Sequence, residues 1–157
     1  MSYISQLRNK IGNDLILLPG SRIIILNKKG EILLQKRSDF NLWGLPGGCP
    51  EENESISECI IRETYEETGL HLNSIIPFGH ASDPKYEIVT YPNNDKIQNF
   101  SMLFYSEDYY GELINSNEES LELGWFNFEN LPIVIENHKT TIQAFINYRK
   151  TGVFQMV

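Results

Sequence analysis

The chain has 157 residues, 41% of them hydrophobic and 22% charged, which is room for one domain (1–157) with a buried core and too little for two. A formal charge of −8 excludes a nucleic-acid scaffold, since binding DNA or RNA needs a basic face to displace counterions, and no apolar run is long enough to cross a bilayer. Cys49 and Cys59 make no disulfide framework and have no zinc-ligand spacing with His71, His80 or His138, so both read as reduced thiols, Cys59 buried on a helix.

The first segment, MSYISQLRNKIG, lacks the apolar core of a secretory signal, which points to the cytoplasm. It reads as a short amphipathic helix with Tyr3, Ile4, Leu7 and Ile11 on one side and Gly12 as its stop. Strands follow at 23–26 and 32–35, joined by the turn Asn27-Lys28-Lys29-Gly30. Residues 38–48 read as a loop punctuated by glycine and proline. A helix runs from near Ser55 to Gly69, opened by Ser55 and Glu58 at the spacing of a capping box. Then come a strand at 71–78, a long loop with a hairpin around Pro92-Asn93-Asn94-Asp95, an apolar strand at 100–105, the polar stretch GELINSNEES and a strand at 121–128. A last helix covers 138–150, where Ile142, Phe145 and Ile146 make an apolar stripe and Gly152 stops it. Strands with one helix between them and one at the end predict a mixed sheet covered on both faces.

The stretch GLPGGCPEENESISECIIRETYEETGL, 44–70, sets Glu63, Glu66 and Glu67 on one face of the predicted helix. Like charges at spacings of three and four each cost roughly a few tenths of a kcal/mol, and the negative end of the helix dipole adds to the penalty. Arg62 can offset one of them, through Glu66 four residues on, but not three. Glutamine would make the same helix without the repulsion. A charge run is ordinarily a solvated face. Here, however, Ile56 and Ile60 share the carboxylate side, and Gly47-Gly48 just upstream would let bare backbone approach a ligand. Clustered oxygens beside such a backbone suit Mg²⁺ or Mn²⁺, hard cations used with phosphate substrates, which would let an acidic protein hold an anionic small molecule.

Five residues after Gly48 comes Glu54; seven more lead to Arg62, followed by Glu63, Thr64, Tyr65, Glu66, Glu67, Thr68, Gly69 and Leu70. This resembles the Nudix box of the Nudix hydrolases, Gly-x5-Glu-x7-Arg-Glu-U-x-Glu-Glu-x-Gly-U with U a bulky apolar residue. Every charged and glycine position is present, and the one departure is Thr64 at the first U. LLQKRS and WGLPGG before the box and ELGWFNFENLP after it also look like their Nudix counterparts, so the resemblance covers most of the chain.

The resemblance implies an α/β (α+β) fold, a Nudix-type α/β/α sandwich with a mixed sheet, and hydrolysis of the diphosphate bond of a nucleoside diphosphate linked to another moiety, or of a nucleoside triphosphate. Carried over by position, Glu63, Glu66, Glu67 and the Gly47 carbonyl are the metal ligands, for Mg²⁺ or Mn²⁺. Arg62 orients the catalytic glutamates, and Glu54 and Gly48 support them. The general base is Glu63 or a glutamate of the late loop, where the chain offers Glu112, Glu118, Glu119 and Glu122. Glu119 is the first choice among these because it precedes the strand toward Trp125. Trp43, Phe40, Tyr86 and Tyr91 could stack on a base or cover the core edge, and Arg37 and the aromatics Trp43 and Tyr86 are taken as substrate contacts. Tyr86 lies sixteen residues past Leu70, like a weak signature of dinucleoside polyphosphate hydrolases, while Pro84 lies near a proline associated with ADP-ribose members, and the two hints disagree. The expected partner is a small nucleotide, with no nucleic acid and no membrane; a homodimer is left open. Two other classes share the fold: non-catalytic nucleotide-binding Nudix modules, which tend to lose box glutamates, and isoprenoid-diphosphate isomerases, which carry a degenerate box and a catalytic cysteine. All box glutamates are intact here.

Overall fold

The computed structural model describes residues 2–114 and 117–157. Its elements are α1 (Tyr3–Ile11), β1 (Ile16–Ile25), β2 (Ile32–Arg37), β3 (Trp43–Gly44), β4 (Gly47–Gly48), α2 (Ile56–Thr68), β5 (His71–Leu72) and β6 (Ile76–Ala81). They continue with α3 (Pro84–Glu87), β7 (Ile88–Thr90), β8 (Lys96–Ser106), β9 (Tyr109–Tyr110), β10 (Ser120–Phe126), α4 (Glu136–Thr151) and β11 (Gln155–Met156).

The main sheet runs β11-β6-β8-β1-β4, with β7 also paired to β8. It is mixed: β1 and β8 run parallel from Ile16↔Ile97 to Ile25↔Ser106, while β4 pairs antiparallel with β1 and β6 antiparallel with β8. The run Ile23, Ile24, Ile25, Leu26 is buried throughout, which a strand can satisfy only if both faces are covered. Odd residues face one way: Ile23 and Ile25 pack with Leu33, Ile60 of α2, Leu70 and Phe104. Even residues face the other: Ile24 and Leu26 pack with Leu34, Phe78, Leu103 and the α4 stripe Ile142 and Phe145. The result is the expected sandwich, with α2 on one face and α4 on the other.

The expected turn after 23–26 forms, with the Gly30 N–H donating to the Asn27 carbonyl at 2.9 Å and Gly30 at φ 75°. The two strands it joins then diverge, because β2 pairs with β10 and β3 in a second sheet. β1 also starts earlier than its apolar run suggests and carries Pro19, which is tolerated because β4 reaches only Ser21 and Arg22, leaving β1 one neighbour at that level. The strand expected at 71–78 divides into β5, paired with β9, and β6, paired with β8. The hairpin around Pro92 is present between β7 and β8, and β8 is longer than its apolar stretch. Among the described residues no helix is long and apolar enough to cross a membrane.

Candidate active site

The cluster of carboxylates is set by how α2 begins and ends. The Ser55 hydroxyl accepts the Glu58 N–H at 3.2 Å while Glu58 accepts the Ser55 N–H at 2.8 Å, so the capping box fixes the first turn. Gly69 closes the helix in the left-handed region, φ 81°, donating to the Tyr65 carbonyl. Thr64, the departure from the box pattern, is fully buried in place of a larger apolar side chain.

Arg62 does more than the sequence spacing suggests. Its Nε and Nη2 donate to Glu54 at 2.7 and 2.9 Å, its Nη1 to Glu63 at 2.9 Å and Glu66 at 3.0 Å, and its Nη2 to the Cys49 carbonyl at 3.2 Å. Besides the expected Glu66, its planar fork of donors reaches Glu63 and Glu54, two of the three through one nitrogen, while its single charge leaves the cluster negative, as expected. These bonds, first among them the one to Glu54, hold the guanidinium charged, and the same bond holds Glu54 below the usual carboxylate range. Glu67 turns away from Arg62, and its Oε2 accepts the Gly47 N–H at 2.8 Å. It is 3% exposed, and burial pushes it up to about 8. Burial also raises Glu63.

The bare backbone beside them is required sterically. A Cβ on Gly48 would lie 2.4 Å from the Glu63 carboxylate, and one on Gly47 would lie 2.1 Å from the Ser21 carbonyl oxygen. The approach of this segment is held by His138 at the start of α4, whose Nδ1 accepts the Leu45 N–H at 2.8 Å. Burial keeps that imidazole neutral, which leaves Nδ1 free to accept. Among the described residues no three Asp, Glu, His or Cys side chains converge as a ready metal cage. The reason is visible in the partners: Arg62 holds Glu63 and Glu66, and the Gly47 N–H holds Glu67.

These groups open onto a cleft of about 360 Å³. Arg37, Gly47, Gly48, Arg62, Glu63, Glu66, Glu67 and Glu119 line it. Of the late-loop candidates only Glu119 does so, exposed at the rim; part of that loop, Asn115 and Ser116, lies outside the described residues. Arg37 is paired with Asp39 at 2.7 and 3.0 Å. Trp43 and Tyr86 do not line the cleft. Trp43 packs edge-on against Phe126 with ring centroids 4.8 Å apart, because β3 turns it toward the second sheet, and Tyr86 sits on α3 beneath Lys85. The aromatics in the cleft are Phe40 and Tyr91, 5.1 Å apart.

Several lining residues gave no sequence signal as site residues. Asn99 and Ser101 enter from the inward face of β8, an alternation with Ile97 that a longer strand assignment would have exposed. Arg22 donates to Glu87 at 2.9 Å and to Thr141 at 3.0 Å, a buried pair 65 positions apart that no local pattern announces. Asn137 is 4% exposed and its Oδ1 has no hydrogen-bond partner.

A sequence profile of the NUDIX domain matches residues 17–146. A Bacillus subtilis (strain 168) protein named as a candidate 8-oxo-dGTP diphosphatase is 33% identical over 129 residues, 82% of this chain and 79% of its own. The ADP-ribose pyrophosphatase of Methanocaldococcus jannaschii is 30% identical over 128 residues, 80% of this chain and 71% of its own. Among solved structures, the MutT protein from Methanosarcina mazei Go1 superposes with a TM-score of 0.70 at 24% identity, over 88% of this chain and 99% of that one.

Proposed function

Given that this chain belongs to the Nudix family of hydrolases acting on phosphorus anhydride bonds, we propose that it is a divalent-metal-dependent pyrophosphohydrolase of a small nucleotide. The substrate is a nucleoside diphosphate linked to another moiety, or a nucleoside triphosphate. The observation that carries the reading is the state of Glu67 and Glu63, two carboxylates gathered against a glycine backbone and raised by burial, Glu67 making no ion pair among the described residues. The donor set is hard oxygen throughout, the kind that suits Mg²⁺ or Mn²⁺ and not a soft metal.

Glu63, Glu66 and Glu67, with the Gly47 carbonyl, would hold the ion. When bound it supplies charge neutralisation at the phosphate oxygens. Arg62 holds Glu54, Glu63 and Glu66 in register, and Arg37 offers the cleft a guanidinium for a phosphate. In the reaction a water oxygen bonds to phosphorus as the bridging P–O bond breaks. The water proton passes to Glu63, and the bridging oxygen leaves with the departing phosphate. Phe40 and Tyr91 give the nucleobase a ring face. Burial pushes the Cys49 thiol up to about 12, so it stays uncharged, which speaks against the cysteine chemistry of an isomerase. Two free thiols fit the reducing cytoplasm.

The test is a screen of nucleoside di- and triphosphates and linked diphosphates with Mg²⁺, Mn²⁺ and EDTA. Turnover that requires the metal is expected, together with a metal-dependent rise in Tm, because an ion that binds only the folded state stabilises it. Turnover unaffected by EDTA would overturn the reading.

A further inference from the structure

Helix α1 lies outside the segment that matches the NUDIX domain, yet it is fastened to the strands that line the cleft. Arg8 fastens it, with Nη1 donating to the Asp14 carbonyl at 2.7 Å and Nη2 to the Lys96 carbonyl at 2.7 Å. Ile4 and Leu7 pack on the buried cluster of Ile16, Leu18 and Ile97. Between α1 and the segment after β4 is a recess of about 200 Å³ walled by Tyr3, Ile4, Pro19 and Pro50. It adjoins the cleft, and Leu18, Cys49 and Glu51 line both. From Gly48, against which Glu63 rests, to Pro50 is two residues, at most about 7 Å, a span that a pair of linked phosphates can cover.

Resting on the reading of the cleft as a diphosphate-bond hydrolase, we propose that this recess is a subsite for a second planar ring, so that the preferred substrate is a polyphosphate carrying a ring-bearing group at each end. The recess has the wrong chemistry for phosphate: its walls are mostly aliphatic and aromatic, and among the described residues its charged lining is Glu51 and Glu52, which repel anions and accept N–H or O–H donors. It has the right chemistry for the face of an uncharged heterocycle. The cleft already offers Phe40 and Tyr91 to one ring, so a nucleoside triphosphate, with one ring, leaves the recess to water. A linked diphosphate ending in a bare sugar uses it poorly.

The experiment compares kcat/KM, with Mg²⁺, for a dinucleoside polyphosphate, a nucleoside diphosphate sugar and the triphosphate of the same nucleoside. The dinucleoside substrate is expected to lead. Tyr3 is 45% exposed, so Tyr3→Ala can remove the ring wall with little strain on folding, which a thermal melt checks. That variant should lower the ratio of dinucleoside to triphosphate kcat/KM about tenfold, the size of one base-stacking contact, while Tyr3→Phe should keep the ratio. A ratio unchanged in Tyr3→Ala, or a wild-type preference for the triphosphate, overturns the subsite while leaving the hydrolase reading intact. No metal-dependent turnover of any of the three overturns both.

Discussion

Glu67 is 3% exposed, accepts one backbone N–H, and titrates near 8 because burial disfavours its charge. Its folded value lies above the ordinary 4.5, so its contribution to stability is fully present below about pH 4.5 and is lost as pH rises through 8. Glutamine keeps the shape and an acceptor for the Gly47 N–H without that titration. In EDTA, Glu67→Gln and wild type should therefore melt together near pH 5 and separate as pH rises, the variant ahead by on the order of 5 °C at pH 9. Parallel melting curves across that range would show that the carboxyl is neutralised by something other than its own proton. The division of labour with the late loop is tested in the same way. Glu63 is half-buried, touches Arg62 and stands against Gly48; Glu119 is exposed at the rim. Glu63→Gln should lower kcat by about a hundredfold to ten-thousandfold, and Glu119→Gln by less than tenfold, at saturating Mg²⁺. The reverse order would move the base to the loop.

What a short stretch of sequence encodes locally was legible, and what depends on distant partners was not. Helix α2 was readable because its signals, Ser55 with Glu58 at one end and Gly69 at the other, lie within one or two turns of the groups they satisfy. The box glutamates, Arg62 and the two glycines came with it. The strand at 71–78 reads as one piece in the sequence, whereas its division is decided by β9 and β8, more than twenty residues further on. Helix α3 is a four-residue turn capped by Asp83, too short to show a periodicity. Trp43 and Tyr86 read as site aromatics because they lie near the box in sequence. Strand direction sends Trp43 to Phe126 instead, and Phe40 and Tyr91 take the cleft.

At the scale of the whole molecule, the cleft floor is held by a charge pair that joins three elements. Arg22 of β1 is 4% exposed and Glu87 of α3 is 1% exposed; they pair through both guanidinium nitrogens, and Arg22 Nη1 also reaches the Asn137 carbonyl at 3.3 Å and the Thr141 hydroxyl at 3.0 Å on α4. Such a pair costs several kcal/mol to desolvate, and its mutual attraction together with the added hydrogen bonds roughly offsets that cost, so its presence alone says little about net stability. Breaking it is another matter, because one charge is then left buried without a partner. Glu87→Ala should destabilise the protein by about 3–5 kcal/mol in urea unfolding, since Thr141 and the Asn137 carbonyl cannot neutralise Arg22. Replacing both partners with apolar side chains, Arg22→Met with Glu87→Met, removes the stranded charge and should recover most of that loss. If the double variant is instead as unstable as the two single changes added together, the pair contributes through independent contacts of each residue, and the tie between β1, α3 and α4 is not electrostatic.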